Sequence, residues 1–234
     1  MSTLELQDRD GPMQVSTYGL SSSQAAILFC AGRGGSPARY DTLLEHLACA
    51  GAYVVAPHFE FMVSTRVTEE ILLERARRTH LAFETCLAPL GSPCFGIGHS
   101  LGGTLLLAHA GAKAWTHSGA PVPIPRLKLE GLALLAPVLD FFQPPGSLDE
   151  LYDLRAGLAI WLGELDRLIA AATVDSFCHG LPAGLRVEFA RVPKANHFTF
   201  MSHPPPRTVE THPDRALFLT QLGADIAGRF LREP

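Results

Sequence analysis

Pro93-Cys94-Phe95-Gly96-Ile97-Gly98-His99-Ser100-Leu101-Gly102-Gly103 is the stretch that decides how this 234-residue chain folds. A short apolar run over residues 94–97 meets Gly-His-Ser-Leu-Gly, and a helical run over 104–110 follows at once. This is G-x-S-x-G in the strand–turn–helix setting that gives the pattern its meaning. Gly98 and Gly102 lack a Cβ, so strand and helix can close on one another around the serine. The turn forces Ser100 into a strained backbone conformation and stands its hydroxyl at the end of a sheet. Amides of the helix N-terminus then point at whatever that hydroxyl attacks. The competing reading is a Gly-rich turn whose serine merely caps the helix.

Outward from this turn the chain alternates between apolar runs and helical patterns. On the N-terminal side, residues 4–6 and 13–18 read as a hairpin turning at Asp10-Gly11-Pro12. Residues 25–30 and 52–56 are continuous apolar runs, as expected for strands buried on both faces. Helices are expected over 40–50, closed by Gly51, and over 68–88, where Ile71, Leu72, Arg75 and Thr79 are spaced along the run. On the C-terminal side, strands are expected at 132–136, 158–162 and 185–190. Ser147-Leu148-Asp149-Glu150 has the form of a capping box and predicts a short helix to Leu154. Further helices are expected from Asp166 to Phe177 and from Pro213 onward. Such alternation implies right-handed crossovers and a mostly parallel central sheet with helices on both faces. Chemistry in open sheets of this kind sits at the carboxyl ends of the strands.

Composition narrows the function classes. Apolar residues make up 47% of the chain and charged residues 18%, enough for one large core, and no linker divides it, so residues 1–234 are expected to form a single domain. A formal net charge of -4 carries no basic surplus and argues against a nucleic-acid partner. No run reaches the ~18 apolar residues of a membrane span, and the N-terminal residues have no basic or apolar leader segment. Cys30, Cys49, Cys86, Cys94 and Cys178 are scattered, without metal-ligand spacing, and read as small buried hydrophobes of a reducing cytoplasm.

Three residues meet the strand-end condition. Ser100 follows one strand, Asp166 follows the strand at 158–162, and His197 follows the strand at 185–190. Nucleophile, acid, histidine is the chain order given for α/β-hydrolases. A serine hydroxyl needs a hydrogen-bonded imidazole to take its proton as it attacks, and that imidazole needs a carboxylate on its other nitrogen to fix its tautomer. Asp140 is the rival acid, with Glu164 behind it, because Glu164-Leu165-Asp166 also reads as a helix start. An oxyanion hole is expected from the amide of Leu101 and an amide of the loop 31–35, that of Arg33 first. That loop lacks the G-K-[ST] and G-x-G-x-x-G patterns of phosphate cradles. Phe141, Phe142, Phe198 and Met201 lie near strand ends and are candidates for an apolar substrate pocket. Residues 121–125 and 141–145 are candidates for pocket rims, and 203–213 for a rim beside His197.

On these residues the chain resembles the α/β-hydrolase superfamily, and within it the dienelactone-hydrolase-like serine esterases. Gly32-Arg33-Gly34-Gly35 with Tyr40, then Ala50-Gly51-Ala52-Tyr53-Val54-Val55-Ala56-Pro57, matches that branch's H-G-x-G-G … G-Y-x-V-x-x-P run. Gly98–Gly103, Trp161-Leu162-Gly163-Glu164-Leu165-Asp166 and Asn196-His197 match its nucleophile turn, acid motif and terminal histidine. The resemblance implies an α/β-hydrolase fold without a large cap domain, and a serine esterase acting on a small-molecule ester without metal or organic cofactor. Ala31 stands where the family has histidine, and Ser100 where dienelactone hydrolase itself has cysteine. An idle scaffold that binds a ligand, and an acyltransferase using the same three residues, are the alternatives.

Overall fold

The computed structural model of the chain describes residues 1–64, 66–116, 119–151 and 153–231. The apolar runs become strands β3 (Ala25–Cys30), β4 (Ala52–Pro57), β5 (Cys94–His99), β6 (Gly131–Leu135) and β7 (Gly157–Gly163), and every residue in all five is buried. Such strands form where helices cover both faces of a parallel sheet. The N-terminal hairpin, β1 (Ser2–Asp8) and β2 (Gly11–Tyr18), and β8 (Val187–Val192) extend the sheet to eight strands in the order β1-β2-β4-β3-β5-β6-β7-β8. β1 and β2, and β2 and β4, pair antiparallel; every other pairing is parallel.

From β3 the chain passes through α1 (Asp41–Cys49) to β4 on one side. From β4 it returns through α2 (Glu69–Cys86) to β5 on the other side of β3, then runs through α3 (Leu101–His109) to β6. Right-handed crossovers in opposite directions place helices on opposite faces. Accordingly α1 packs with α5 (Arg215–Phe230), and α2 with α3. At the first of these contacts Gly223 makes room for the His46 ring, which an added Cβ would meet at 2.8 Å. The strand order therefore reverses between β3 and β5, and the crevice beyond their carboxyl ends is where such sheets bind ligands. All nine residues of α3 are buried, so the helix that begins at the serine runs through the core.

Two expected helices differ. The helix expected over 147–154 is not formed: residues 147–150 make turns, and Tyr152 lies outside the described residues. Ser147 donates its hydroxyl to the Pro144 carbonyl, and the Glu150 carboxylate is drawn outward to Lys113 and Arg126, so neither half of the capping box is made. The helix expected from Asp166 begins instead at Ala171 as α4 (Ala171–His179), because the Asp166 carboxylate is committed to a turn described below. Cys30 and Cys94 are buried, but Cys49 is exposed at the end of α1, contrary to its reading as a core residue. In the rim expected at 121–125, Pro125 accepts a hydrogen bond from His109 at the end of α3 farthest from Ser100. No helix among the described residues is long and apolar enough to cross a membrane.

Candidate active site

Ser100 sits between β5 and α3 with φ 55° and ψ -119°, in the left-handed half of conformational space that a non-glycine residue enters only under constraint. The constraint is contact with backbone. A Cβ on Gly98 would lie 2.6 Å from the carbonyl carbon of Gly102, and one on Gly102 would overlap the Cys30 carbonyl oxygen. The amide of Ser100 donates to Leu135 of β6, and its carbonyl accepts from Gly103 and Val138. The strained residue is thus pinned on both sides.

Asp166 and His197 meet at the ends of β7 and β8. The Nδ1–H of His197 donates to Oδ2 of Asp166 at 2.9 Å, and the amides of Leu168 and Ile169 donate to Oδ1 at 2.8 and 2.9 Å. A carboxylate can only accept, so the imidazole proton lies on Nδ1 and Nε2 is left as the base. Burial alone would raise the Asp166 carboxyl, but His197 and the two amides hold it below the ordinary range. Asp140, the rival acid, is exposed in a 3-10 turn, and Glu164 spends its carboxylate on the amide of Lys194.

His99 joins the two halves. Its Nε2–H donates to the carbonyl of His197 at 3.0 Å, and its Nδ1 accepts from the Tyr40 hydroxyl at 2.8 Å. The His99 and His197 rings lie 4.8 Å apart, which brings the base beside the residue preceding Ser100. Among the described residues neither the Ser100 hydroxyl nor Nε2 of His197 has a hydrogen-bond partner; catalytic bonds of this kind often close only on a substrate. Burial holds His99 neutral, its pKa pushed down to about 3.

The loop after β3 lies over the serine. A Cβ on Gly32 would stand 3.1 Å from Cβ of Ser100 and 3.3 Å from Nδ1 of His99. Neither the amide of Arg33 nor that of Leu101 is taken by another group among the described residues, and the Arg33 side chain is exposed. The loop is held from behind by Arg75 of α2, buried at 2% exposure. Its guanidinium donates to the carbonyls of Gly32, Arg33 and Glu60 at 2.9, 3.2 and 2.9 Å and lies over the Phe59 ring.

Of the four apolar candidates, Phe198 alone lines a groove beside His197. Phe141, Phe142 and Met201 are core residues, Phe142 packing on Phe177. Sequence reasoning missed His99 and Arg75. A charged Arg75 on the apolar face of α2 was the available signal for one; His99 inside the serine motif was the signal for the other. Among the described residues no group of three or more His, Cys, Asp or Glu side chains is arranged to hold a metal ion.

No protein-family model and no curated protein sequence matches the chain. Solved structures do. An α/β serine hydrolase without lid from Xanthomonas campestris aligns over 100% of this chain and 96% of its own, at 16% identity and a TM-score of 0.64. Esterase 2 of Thermogutta terrifontis in its apo form aligns over 99% of this chain and 96% of its own, at 17% identity and 0.68. An α/β serine hydrolase homologue from Coxiella burnetii covers 96% of both chains at 14% identity and 0.62. The chain has the α/β-hydrolase fold, with no large cap among the described residues.

Proposed function

We propose that the protein is a serine hydrolase that cleaves a carboxylic ester, or a related acyl bond, of a small molecule through an acyl-enzyme on Ser100. One observation carries the reading: an imidazole whose Nδ1–H is bound to a buried carboxylate is tied through His99 to the strained turn that presents Ser100. As Ser100 attacks the carbonyl carbon, Nε2 of His197 takes its proton, and Asp166 steadies the resulting cation. Charge forming on the carbonyl oxygen meets the free amides of Leu101 and Arg33, each such donor being worth roughly 3 kcal/mol of barrier. His197 then protonates the departing alcohol, and the same base activates water against the acyl-enzyme.

Gly32–Gly35, the Ser100 turn and Asn196-His197 support the dienelactone-hydrolase-like serine esterase branch within this fold. The free thiols agree with a cytoplasmic site of action. Esterase 2 of Thermogutta terrifontis, similar in fold, is phosphonylated by cyclosarin and phosphorylated by paraoxon, the reactivity expected of an activated serine.

The test is turnover of p-nitrophenyl acetate and butyrate. The reading predicts hydrolysis with an initial burst, reduced by roughly 10³-fold or more in Ser100→Ala and in His197→Ala. Turnover undiminished in Ser100→Ala would overturn it. Added alcohols that divert the acyl group from water would identify acyl transfer on the same residues.

A further inference from the structure

An open groove of about 720 Å³ begins at His197 and Asp166 and runs between the loop after β7 and the segment after β8. Its volume lies within the range of small-molecule sites. Leu165, Leu168, Phe198 and Val209 line it, and three of them hold large apolar surface in water: Leu165 is 46% exposed, Leu168 64% and Val209 78%. Several exposed apolar side chains converging on one concave surface mark a binding site. Glu164 and Arg167 also line it with opposite charges, and Asp166 adds a carboxylate already bound to His197, so nothing in the lining selects an anion.

Both walls are braced. The Leu165 amide donates to the Ala195 carbonyl, and the Leu168 amide to Asp166. Across the groove, Asn196 donates to the Val209 carbonyl and the Thr211 hydroxyl. Glu210 gathers the Thr199 hydroxyl, the amides of Thr211 and His212, and Arg215. The groove is preformed, and its walls are anchored to the residues that orient the catalytic base.

We infer that this groove is the leaving-group site and that the substrate is an ester of an apolar alcohol, an inference that rests on the serine-hydrolase reading above. The imidazole that takes the Ser100 proton must deliver it to the leaving oxygen, so that oxygen lies within hydrogen-bond reach of Nε2 of His197. The carbonyl oxygen turns the other way, to the amides of Leu101 and the β3 loop. Beyond that oxygen the alcohol passes over the His197 ring into the groove, whose lining includes His197 and Asp166 but not Ser100.

The experiment holds the acyl group constant and varies the alcohol: ethyl, butyl and hexyl acetate, whose leaving oxygens have closely similar basicity. All three give the same acetyl-enzyme, so kcat/KM reports acylation alone. A fully buried methylene is worth roughly fourfold, and in an open groove kcat/KM should rise at least about tenfold from ethyl to hexyl. Leu168→Asp and Val209→Asp, each at an exposed position, should cut the hexyl-to-ethyl ratio to about threefold or less. The ratio of ethyl hexanoate to ethyl acetate should not move in either variant. A flat alcohol series with ethyl acetate turned over overturns the inference while leaving the hydrolase reading intact. So do variants that change the acyl series in place of the alcohol series. If no ester is turned over and Ser100 takes no fluorophosphonate, the hydrolase reading has failed and this inference falls with it.

Discussion

Asp166 divides its two oxygens between two tasks. Oδ1 closes the turn on Leu168 and Ile169, and Oδ2 holds Nδ1 of His197. Asn at this position can keep the turn but presents an NH₂ group to Nδ1, favouring the tautomer whose Nε2 cannot accept a proton. Asp166→Asn should therefore lower kcat by roughly 10³–10⁴ with KM changed by a few-fold at most. Steady-state kinetics on p-nitrophenyl acetate checks this, and a loss under tenfold would contradict it. Arg75 acts at one remove. Burial pushes its guanidinium down to about 10, still cationic at neutral pH, and no carboxylate pairs with it among the described residues. Its partners are three backbone carbonyls, two of them in the β3 loop. Arg75→Met should cost roughly 2–4 kcal/mol in urea unfolding and lower kcat more than it raises KM. Lost stability with unaltered kcat would remove Arg75 from the positioning of that loop.

At the level of elements, the turn at Ser100 depends on backbone meeting backbone. A Cβ on Gly102 overlaps the Cys30 carbonyl, which cannot swing aside as a side chain would. Gly102→Ala should lose roughly 3 kcal/mol or more, a fall in Tm of about 6–12 °C at this chain length. Gly34→Ala is the control, since its Cβ meets only the Arg39 side chain at 3.7 Å. Equal melting temperatures for the two variants would contradict the account. The elements that sequence located best are those whose local signal agreed with their surroundings. β3 spans the apolar run at 25–30, and α2 starts after the Thr68 cap. The turns at 147–150 were not predictable from the capping-box pattern, because distant Lys113 and Arg126 draw Glu150 away. Asp166 misled for a related reason: a turn-forming carboxylate and a helix cap share one local sequence, and His197 decides between them from 31 residues away.

At the scale of the whole molecule, burial fixes how the fold responds to acid. His99 is held neutral with its pKa pushed down to about 3, and His109 to about 4. An unfolded histidine titrates near 6.5, so below that pH the unfolded chain binds protons that the folded chain refuses. Stability therefore falls as pH falls from about 6.5 toward 4, by on the order of 5 kcal/mol for the two groups together. Asp166, whose folded pKa is lowered, contributes stability above the unfolded aspartate value that is lost as pH falls through the folded one, which has the same sign. The urea midpoint should drop steadily between pH 7 and 4.5, and His109→Gln should flatten the slope; a midpoint independent of pH would contradict this. The strand-end placement of Ser100, Asp166 and His197 was legible because strand ends on a parallel sheet converge. The groove was not. Leu165 and Leu168 face Val209 only after β8 and the segment beyond it have folded back, and no local pattern records that approach.

On the serine-hydrolase reading Ser100 is an activated nucleophile. Its most direct test is reaction of the intact protein with a fluorophosphonate, followed by peptide mass mapping, with Ser100→Ala and His197→Ala treated alongside. A single adduct on Ser100 is expected, absent in Ser100→Ala and formed far more slowly in His197→Ala. No adduct, or labelling that persists in Ser100→Ala, would contradict it.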